Sequence, residues 1–324
     1  MKVLTSSLFR LLMLTVLALC FCFPAHGNPP AAIDSAPEFL SISGQSALSI
    51  PFEISGKGHI FLRVSINRSE PLWFGLDSGT EQTLISQQQA KAQNLKLQGG
   101  MQAAGSGEDT VDFALARNVS FSLSGVNLTL AEVGVLPLEF ASPVPGQAIG
   151  GLLGYDFIRR FVLEIDYAAR VIKLYRPRGY RYRGRGEIIP ISMLDNNPYI
   201  PVKVALPGLK PIRGMFMIDS GADTDIEFYS PFVKRYKLLN STQETIEASA
   251  LGIGGTSKIR IGYATNVQIG RALIANPVVQ FSQATRGDDT NAIGAGIIGG
   301  KLLRQFKTVI FDPSRRRIIL EPAV

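Results

Sequence analysis

Two stretches decide how this chain reads: LWFGLDSGTEQTLI at 72–85 and GMFMIDSGADTDIE at 214–227. Each is an apolar run that ends in Asp-Ser-Gly, at Asp77 and Asp219, and the two aspartates stand 219 − 77 = 142 positions apart. The likeness extends outward in both directions. Upstream, HIFLRVSI (59–66) matches YIPVKVAL (199–206). Downstream, the glycine-rich AAGSGE (103–108) matches LGIGGTS (251–257), and Asn118-Val119-Ser120-Phe121 matches Asn266-Val267-Gln268-Ile269. Each copy closes with two aliphatics and a glycine, a short helical segment, a Phe, an Asp at a turn and an apolar strand: GLLGYDFIRRFVLEIDYAARVIKLYRP (151–177) against GIIGGKLLRQFKTVIFDPSRRRIILEP (296–322). One shared tripeptide is weak evidence, but a colinear series with nearly constant spacing is an internal duplication.

The rest of the chain fits around that repeat. Residues 1–27 carry Lys2 and Arg10, an apolar run from Leu11 to Phe23, and small residues Ala25 and Gly27 before the break, which is the pattern of a removable secretory signal. The run is too short for a spanning helix, which needs about 20 residues. Removal would take both cysteines, Cys20 and Cys22, and His26, leaving His59 as the only imidazole in the remaining 324 − 27 = 297 residues. Thiol nucleophiles, disulfide frameworks, zinc–thiolate sites and multi-His metal sites then drop out, and no cofactor or metal is expected. The formal balance becomes 33 − 2 = 31 basic against 26 acidic residues, a mild excess that favours weak contact with an anionic envelope surface and specifies no nucleic acid.

Period-two alternation and Val/Ile/Phe-rich runs make the chain β-rich. The expected fold is all-β and bilobal, two homologous barrel-like lobes with short helices. A tail at 28–45 leads to a first lobe at 46–177, a connector at 178–186 and a second lobe at 187–324. Helices are predicted after each Asp-Ser-Gly block, where SQQQAKAQNL (86–95) opens on a Ser cap and Ser230-Pro231 supplies a cap followed by Pro. The strip RPRGYRYRGRG (176–186) carries five Arg. It reads as a solvated connector, with an anion-docking strip as the alternative.

An aspartate closing a buried apolar run is costly unless hydrogen bonded. The following glycine lets the backbone turn and bring amides to the carboxylate, and the serine can bond across to a neighbouring loop. Packed about a pseudo-twofold axis, the lobes would set Asp77 beside Asp219. Two adjacent carboxyls share one proton: the ionised member can activate water and the protonated member can hydrogen bond a carbonyl. Thr80 can donate to Asp77 while Ala222 cannot do so for Asp219, so Asp219 is expected to hold more of the proton.

On these motifs the chain resembles the pepsin/retropepsin superfamily of aspartic proteases, as a single-chain, duplicated, bacterial retropepsin-like member. The resemblance covers most of the chain after residue 45. It implies catalysis by Asp77 and Asp219, supported by the loops Ser78, Gly79, Thr80 and Ser220, Gly221, Ala222, with Ser78 and Ser220 exchanging hydrogen bonds. It places Leu152, Leu153, Gly154 and Ile297, Ile298, Gly299 in ψ-shaped strand crossings beneath the Asp loops. Gly105, Ser106, Gly107 and Gly252, Gly254, Gly255 correspond to flap tips that close over a peptide. The absence of a pepsin-type flap tyrosine near 101–110 fits the two-flap retroviral arrangement better than the one-flap pepsin arrangement.

Other residues receive structural readings. Asp223 and Asp225 read as carboxylates on one solvated loop, Asp166 and Asp312 as hairpin hydrogen-bonding groups, His59 as a strand-face residue and Trp73 as core. With no His to partner it, a Ser-His-Asp triad is not expected. The expectation is therefore an exported, periplasmic or secreted, monomeric aspartic endopeptidase acting on peptides or proteins. The rivals are a non-catalytic peptide binder of the same fold and an envelope-docking module that uses the connector arginines.

Overall fold

The computed structural model describes residues 38–39, 47–142, 148–240 and 244–323. The expected signal at 1–27, with Cys20, Cys22 and His26, lies outside them. Of the tail at 28–45 only Glu38–Phe39 falls within the described residues, as a short strand antiparallel to Val126–Leu136. The described residues form one compact unit.

Strands dominate, in a two-lobed all-β arrangement of three sheets. The first repeat forms one sheet whose centre runs Leu84–Ser86, Ile149–Leu153, Leu72–Leu76 and Ile60–Ile66. The second forms the matching order Ile226–Phe228, Gly296–Gly299, Ile212–Asp219 and Asn197–Ala205. In both, the strand of the later glycine motif lies parallel to the Asp-Ser-Gly strand and antiparallel to the strand after it: Leu153 pairs with Leu76 and Leu152 with Leu84, Ile298 with Ile218 and again with Ile226. These are the ψ-shaped crossings expected of 152–154 and 297–299. Alternate side chains of Ile60–Ile66 and Asn197–Ala205 enter a core containing Val64, Ile66, Val202 and Val204, as period-two patterning requires.

The third sheet takes three strands from each repeat. Its order is Glu187–Pro190, Arg317–Pro322, Phe306–Asp312, Val162–Asp166, Val171–Tyr175, Ala47–Pro51, all antiparallel. The central pair joins the repeats, with Leu163 opposite Phe311 and Ile165 opposite Val309, all fully buried. A sheet cannot be pulled apart between its two middle strands without losing backbone hydrogen bonds and apolar burial together. It therefore fixes how the two Asp-Ser-Gly loops face one another.

The short helices fall where expected, with one difference in capping. Gln87–Ala92 starts on Ser86, whose hydroxyl accepts from the Gln89 N–H at 3.3 Å. In the second copy the cap is Tyr229, not Ser230. Ser230 is already helical, Pro231 follows within the first turn and no side chain caps the end. Tyr155–Ile158 and Gly300–Leu303 form the helices after the glycine motifs. Between the lobes, the connector alternates exposed Arg178, Arg181, Arg183 and Arg185 with Tyr180 and Tyr182, whose rings pack on Val162, Ile310 and Ile319.

Close backbone approach fixes the glycines of the crossings. A Cβ on Gly154 would lie 2.6 Å from the Gln82 carbonyl carbon and 2.8 Å from the Thr83 nitrogen, and one on Gly299 would strike the Thr224 carbonyl. Gly154→Ala and Gly299→Ala should each lower the unfolding free energy by about 1–3 kcal/mol through overpacking. Gly56→Ala, where a Cβ meets nothing within 4 Å, should stay within about 0.5 kcal/mol. Urea midpoints check this, and a Gly154→Ala midpoint equal to wild type would refute the crossing as a tight constraint.

Candidate active site

Asp77 directly follows strand Leu72–Leu76 and Asp219 ends Ile212–Asp219, with Leu76 and Ile218 buried just before them. Serine then ties the two loops. The Ser78 N–H donates to Ser220 Oγ at 3.0 Å and the Ser220 N–H donates to Ser78 Oγ at 3.0 Å. Each hydroxyl donates onward, Ser78 Oγ to the Ile218 carbonyl at 2.8 Å and Ser220 Oγ to the Leu76 carbonyl at 3.0 Å. Both serines are buried. The reciprocal bonding expected of Ser78 and Ser220 is thus present, and it engages the peptide units just before the aspartates.

The glycines complete the approach. Gly79 and Gly221 donate their N–H groups to the Oδ1 atoms of Asp77 and Asp219 at 2.9 and 2.8 Å. Each also lies against the opposite aspartate: a Cβ on Gly221 would stand 2.5 Å from Asp77 Cγ, and one on Gly79 would collide with the Asp219 carboxyl. Only glycine permits this juxtaposition. The two carboxyls share a side-chain hydrogen bond. Burial first, and then the Asp77 charge, raise the Asp219 carboxyl well above the ordinary carboxylate range, so Asp219 is the member that holds the proton. Asp77 Oδ2 accepts from Thr80 Oγ1 at 2.9 Å, and position 222 supplies no such hydroxyl. Direction and geometry agree with the asymmetry expected from Thr80 and Ala222.

Beneath the loops the crossings are braced differently in the two copies. In the first, Asp156 Oδ1 accepts from the Thr83 N–H at 2.9 Å and from Thr83 Oγ1 at 2.6 Å, and Thr83 Oγ1 accepts from the Gly154 N–H at 3.1 Å. In the second, Asp225 stands where Thr83 does and Lys301 where Asp156 does. Asp225 Oδ2 accepts from the Val278 N–H at 2.9 Å, with the Lys301 amine 3.9 Å away. The acid has changed sides of the brace. This corrects the reading of Asp225 as solvated: it is buried, whereas Asp223 is exposed. Asp166 and Asp312 do serve their hairpins. Asp166 accepts from the Ala169 N–H, and fully buried Asp312 accepts from Ser314, Arg315 and Arg317.

The two glycine-rich segments sit at hairpin ends and meet. Gly107 and Asp109 donate their N–H groups to the Ile253 and Gly254 carbonyls, both at 2.8 Å, and the Asp288 N–H donates to the Gly105 carbonyl at 2.8 Å. Gly254 turns at φ +86°, left-handed backbone that favours glycine, and Gly252 lies against Ser106 Oγ. The Ile253 side chain reaches the apolar cluster of the first lobe, with Phe61, Leu84, Leu136 and Trp73. Glu108 Oε1 accepts from Thr285 N and Oγ1 at 2.7 and 2.8 Å, bonds that lower its carboxyl below the usual range.

Several groups escaped the sequence reading. His59 is more than a strand-face residue: it lies near Asp223 and Asp77, and burial lowers its imidazole below the ordinary value. Glu227 and Asp289 form a second hydrogen-bonded carboxyl pair. Both are buried and raised, Glu227 well above the usual range, with desolvation as the leading cause. Comparison of the repeats would have flagged Glu227, which stands where the first copy has buried Ile85. Asp289 had no counterpart signal in the sequence. Trp73 is half-buried against its cluster, with the Arg63 guanidinium 4.7 Å from the ring centroid. Among the described residues no group of three or more His, Cys, Asp or Glu could hold a metal ion, and no helix is long and apolar enough to cross a membrane.

Residues 62–157 match the family model described as aspartyl protease, which places that segment in the aspartic protease superfamily. No curated protein matches the chain.

Ser78→Ala strips a buried amide of its acceptor and a buried carbonyl of its donor, at about 1–3 kcal/mol for each group left unsatisfied. Ser78→Ala and Ser220→Ala should each destabilise strongly, and the double variant by less than their sum, because loops released by the loss of one hydroxyl have less left to lose with the other. Strict additivity in denaturation would refute the reciprocal lock. Glu227 is raised in the folded chain, so its protonated form contributes stability that is full below its unfolded value of 4.5 and lost as pH rises towards the folded value. Glu227→Gln keeps a donor for Asp289 and removes that titration. Its urea midpoint should fall less than wild type between pH 5 and 8, and parallel curves would refute the shared proton.

Proposed function

We propose that this aspartyl-protease segment and its repeat together form an aspartic endopeptidase, which hydrolyses peptide bonds by water activated between Asp77 and Asp219. The observation that carries the reading is the hydrogen-bonded pair of carboxyls in which burial and the Asp77 charge push Asp219 up to hold the proton. Asp77, fixed by Gly79 and Thr80, takes a proton from the water. Asp219 donates a hydrogen bond to the scissile carbonyl, whose oxygen gains charge as water adds. The proton taken by Asp77 then passes to the departing amine, and no covalent enzyme intermediate forms. Every step uses carboxyl chemistry, consistent with a chain poor in His.

The substrate is an extended peptide lying between the dyad and the two hairpin tips, held by strand-like main-chain hydrogen bonds with side-chain pockets adding selectivity. Ile253 and the Glu108–Thr285 contact close the roof over it. The enzyme works as an exported monomer in the periplasm or beyond the cell. Export rests on the sequence of residues 1–27 alone.

Digestion of a peptide library between pH 3 and 8 tests the reading. Wild type should cleave, with Asp77→Asn and Asp219→Asn each slower by at least about 10³-fold and a statine-type inhibitor blocking turnover. No cleavage at any pH would overturn it, and retained peptide binding without turnover would leave the non-catalytic binder. In cleaving protein, Thr80→Ala removes a donor that favours the charged carboxylate, so the acid limb of the pH–rate profile should move to higher pH. An unmoved limb would count against the assigned asymmetry.

A further inference from the structure

A cavity of about 340 Å³ opens where the first Asp loop meets the second repeat, lined by Glu81, Tyr155, Arg159, Asn196, Ser314 and Arg316 among others. Its first wall belongs to the loop that carries Asp77. Glu81 follows Asp77 by four residues on the same loop, and the loop is pinned from below by the Tyr155 N–H on the Thr80 carbonyl at 2.7 Å and the Asp156 N–H on the Glu81 carbonyl at 3.0 Å. The opposite wall comes from the hairpin turn at Asn196 and from the turn before strand Arg317–Pro322.

The cations here are not those the fold consumes. In the run Arg315-Arg316-Arg317, Arg315 donates to Asp312 and to the Pro177 and Tyr180 carbonyls, and Arg317 donates to Asp312. Arg316 holds only backbone bonds, through its N–H to Pro313 and its carbonyl from Ile191, and its side chain lines the cavity. In Arg159-Arg160, Arg160 Nε donates to the Asp156 carbonyl, while Arg159 lines the cavity. Among the described residues no ion pair uses Arg159, Arg316 or Glu81.

The duplication supplies an internal control. Arg304 occupies the position of Arg159 in the second copy, and there the guanidinium lies directly against Gly58, so close that any Cβ at 58 would collide with it. The equivalent space is therefore filled by the protein's own arginine on one side. On the other, Arg159 and Arg316 both line an open cavity.

We propose that this cavity is a subsite for a peptide carboxylate, borne by an acidic side chain or by a chain end, held between Arg159 and Arg316. Two guanidiniums outweigh the one carboxylate of Glu81, and their planar forks match a carboxylate in shape. Tyr155 keeps its proton, its hydroxyl pushed up to about 12 mainly by burial, and remains a donor throughout the working range. Glu81 disfavours a second negative charge on its side of the cavity, which limits the subsite to one carboxylate. The proposal rests on the peptidase reading, since it assigns that enzyme a preference at one position along its substrate.

The test uses the full chain and C-terminally amidated peptides of one sequence, carrying Glu or Gln at each position around the cleaved bond. Wild type should favour Glu over Gln in kcat/KM by about tenfold at one position, with the difference in KM. The Arg159→Gln/Arg316→Gln double variant should bring that ratio to about one, and Arg159→Lys should retain part of it. Damage to the fold slows both peptides alike and leaves the ratio in place, so a ratio unmoved in the double variant overturns the proposal. A preference seen only with free C-termini supports it with the chain end as the carboxylate. If wild type cleaves nothing, the peptidase reading fails separately and the cavity is read by calorimetry. Triglutamate amide binding wild type at least about tenfold more tightly than the double variant, with trilysine amide not bound, supports the subsite. Equal or absent triglutamate binding overturns it.

Discussion

The exchange of hydrogen bonds between Ser78 and Ser220 is the contact on which the remaining geometry depends. It joins not two flexible side chains but two backbone loops, through hydroxyls that accept from one peptide unit and donate to another. Buried and fully satisfied, such a network is strong and orienting, and half of it would be worse than none. Because the acceptor carbonyls belong to Leu76 and Ile218, the residues before the aspartates, the lock sets the separation of the carboxyls themselves. The third sheet brings the lobes to that distance, and Gly79 and Gly221 leave room for the opposite carboxyl. Forced proximity in a desolvated setting then raises Asp219. A folding contact and an acid–base property are here consequences of one arrangement.

Duplication made the pair, and divergence gave its members different work. Thr80 faces Ala222, the Asp156–Thr83 brace faces the Asp225–Lys301 brace with its acid on the other partner, and Ile85 faces Glu227. None of these changes disturbs the parallel crossing of the strands, whose glycines are held by backbone contact. The frame is conserved between the copies where backbone meets backbone, and it varies where side chains set charge. A symmetric pair of carboxyls has no reason to localise a proton, whereas neighbours that differ as Thr80 and Ala222 do give it one.

Much of this was legible in the chain. The repeat announced two lobes, Asp-Ser-Gly placed the acids, and the alternation of HIFLRVSI and YIPVKVAL marked segments that are strands, Ile60–Ile66 and Asn197–Ala205. The helix caps were half right, because Ser86 and Ser230 look alike in sequence and differ by one residue of backbone register. The buried pair Glu227–Asp289 was not legible as a pair: the repeats mark Glu227 against Ile85, but nothing in the chain marks Asp289, 62 positions on, as its partner. The charge setting of His59 was not legible either, since Asp223 stands 223 − 59 = 164 positions away in the chain.

The sequence by itself determined which residue types exist to do chemistry, that they occur twice in one order, and that strands would carry them, because composition, repetition and period are local properties of the chain. The tertiary structure alone decided which acids are desolvated and which arginine of each cluster is left over. Those outcomes depend on distance and dielectric between groups far apart in sequence, and a chain acquires both only when its two halves close on each other.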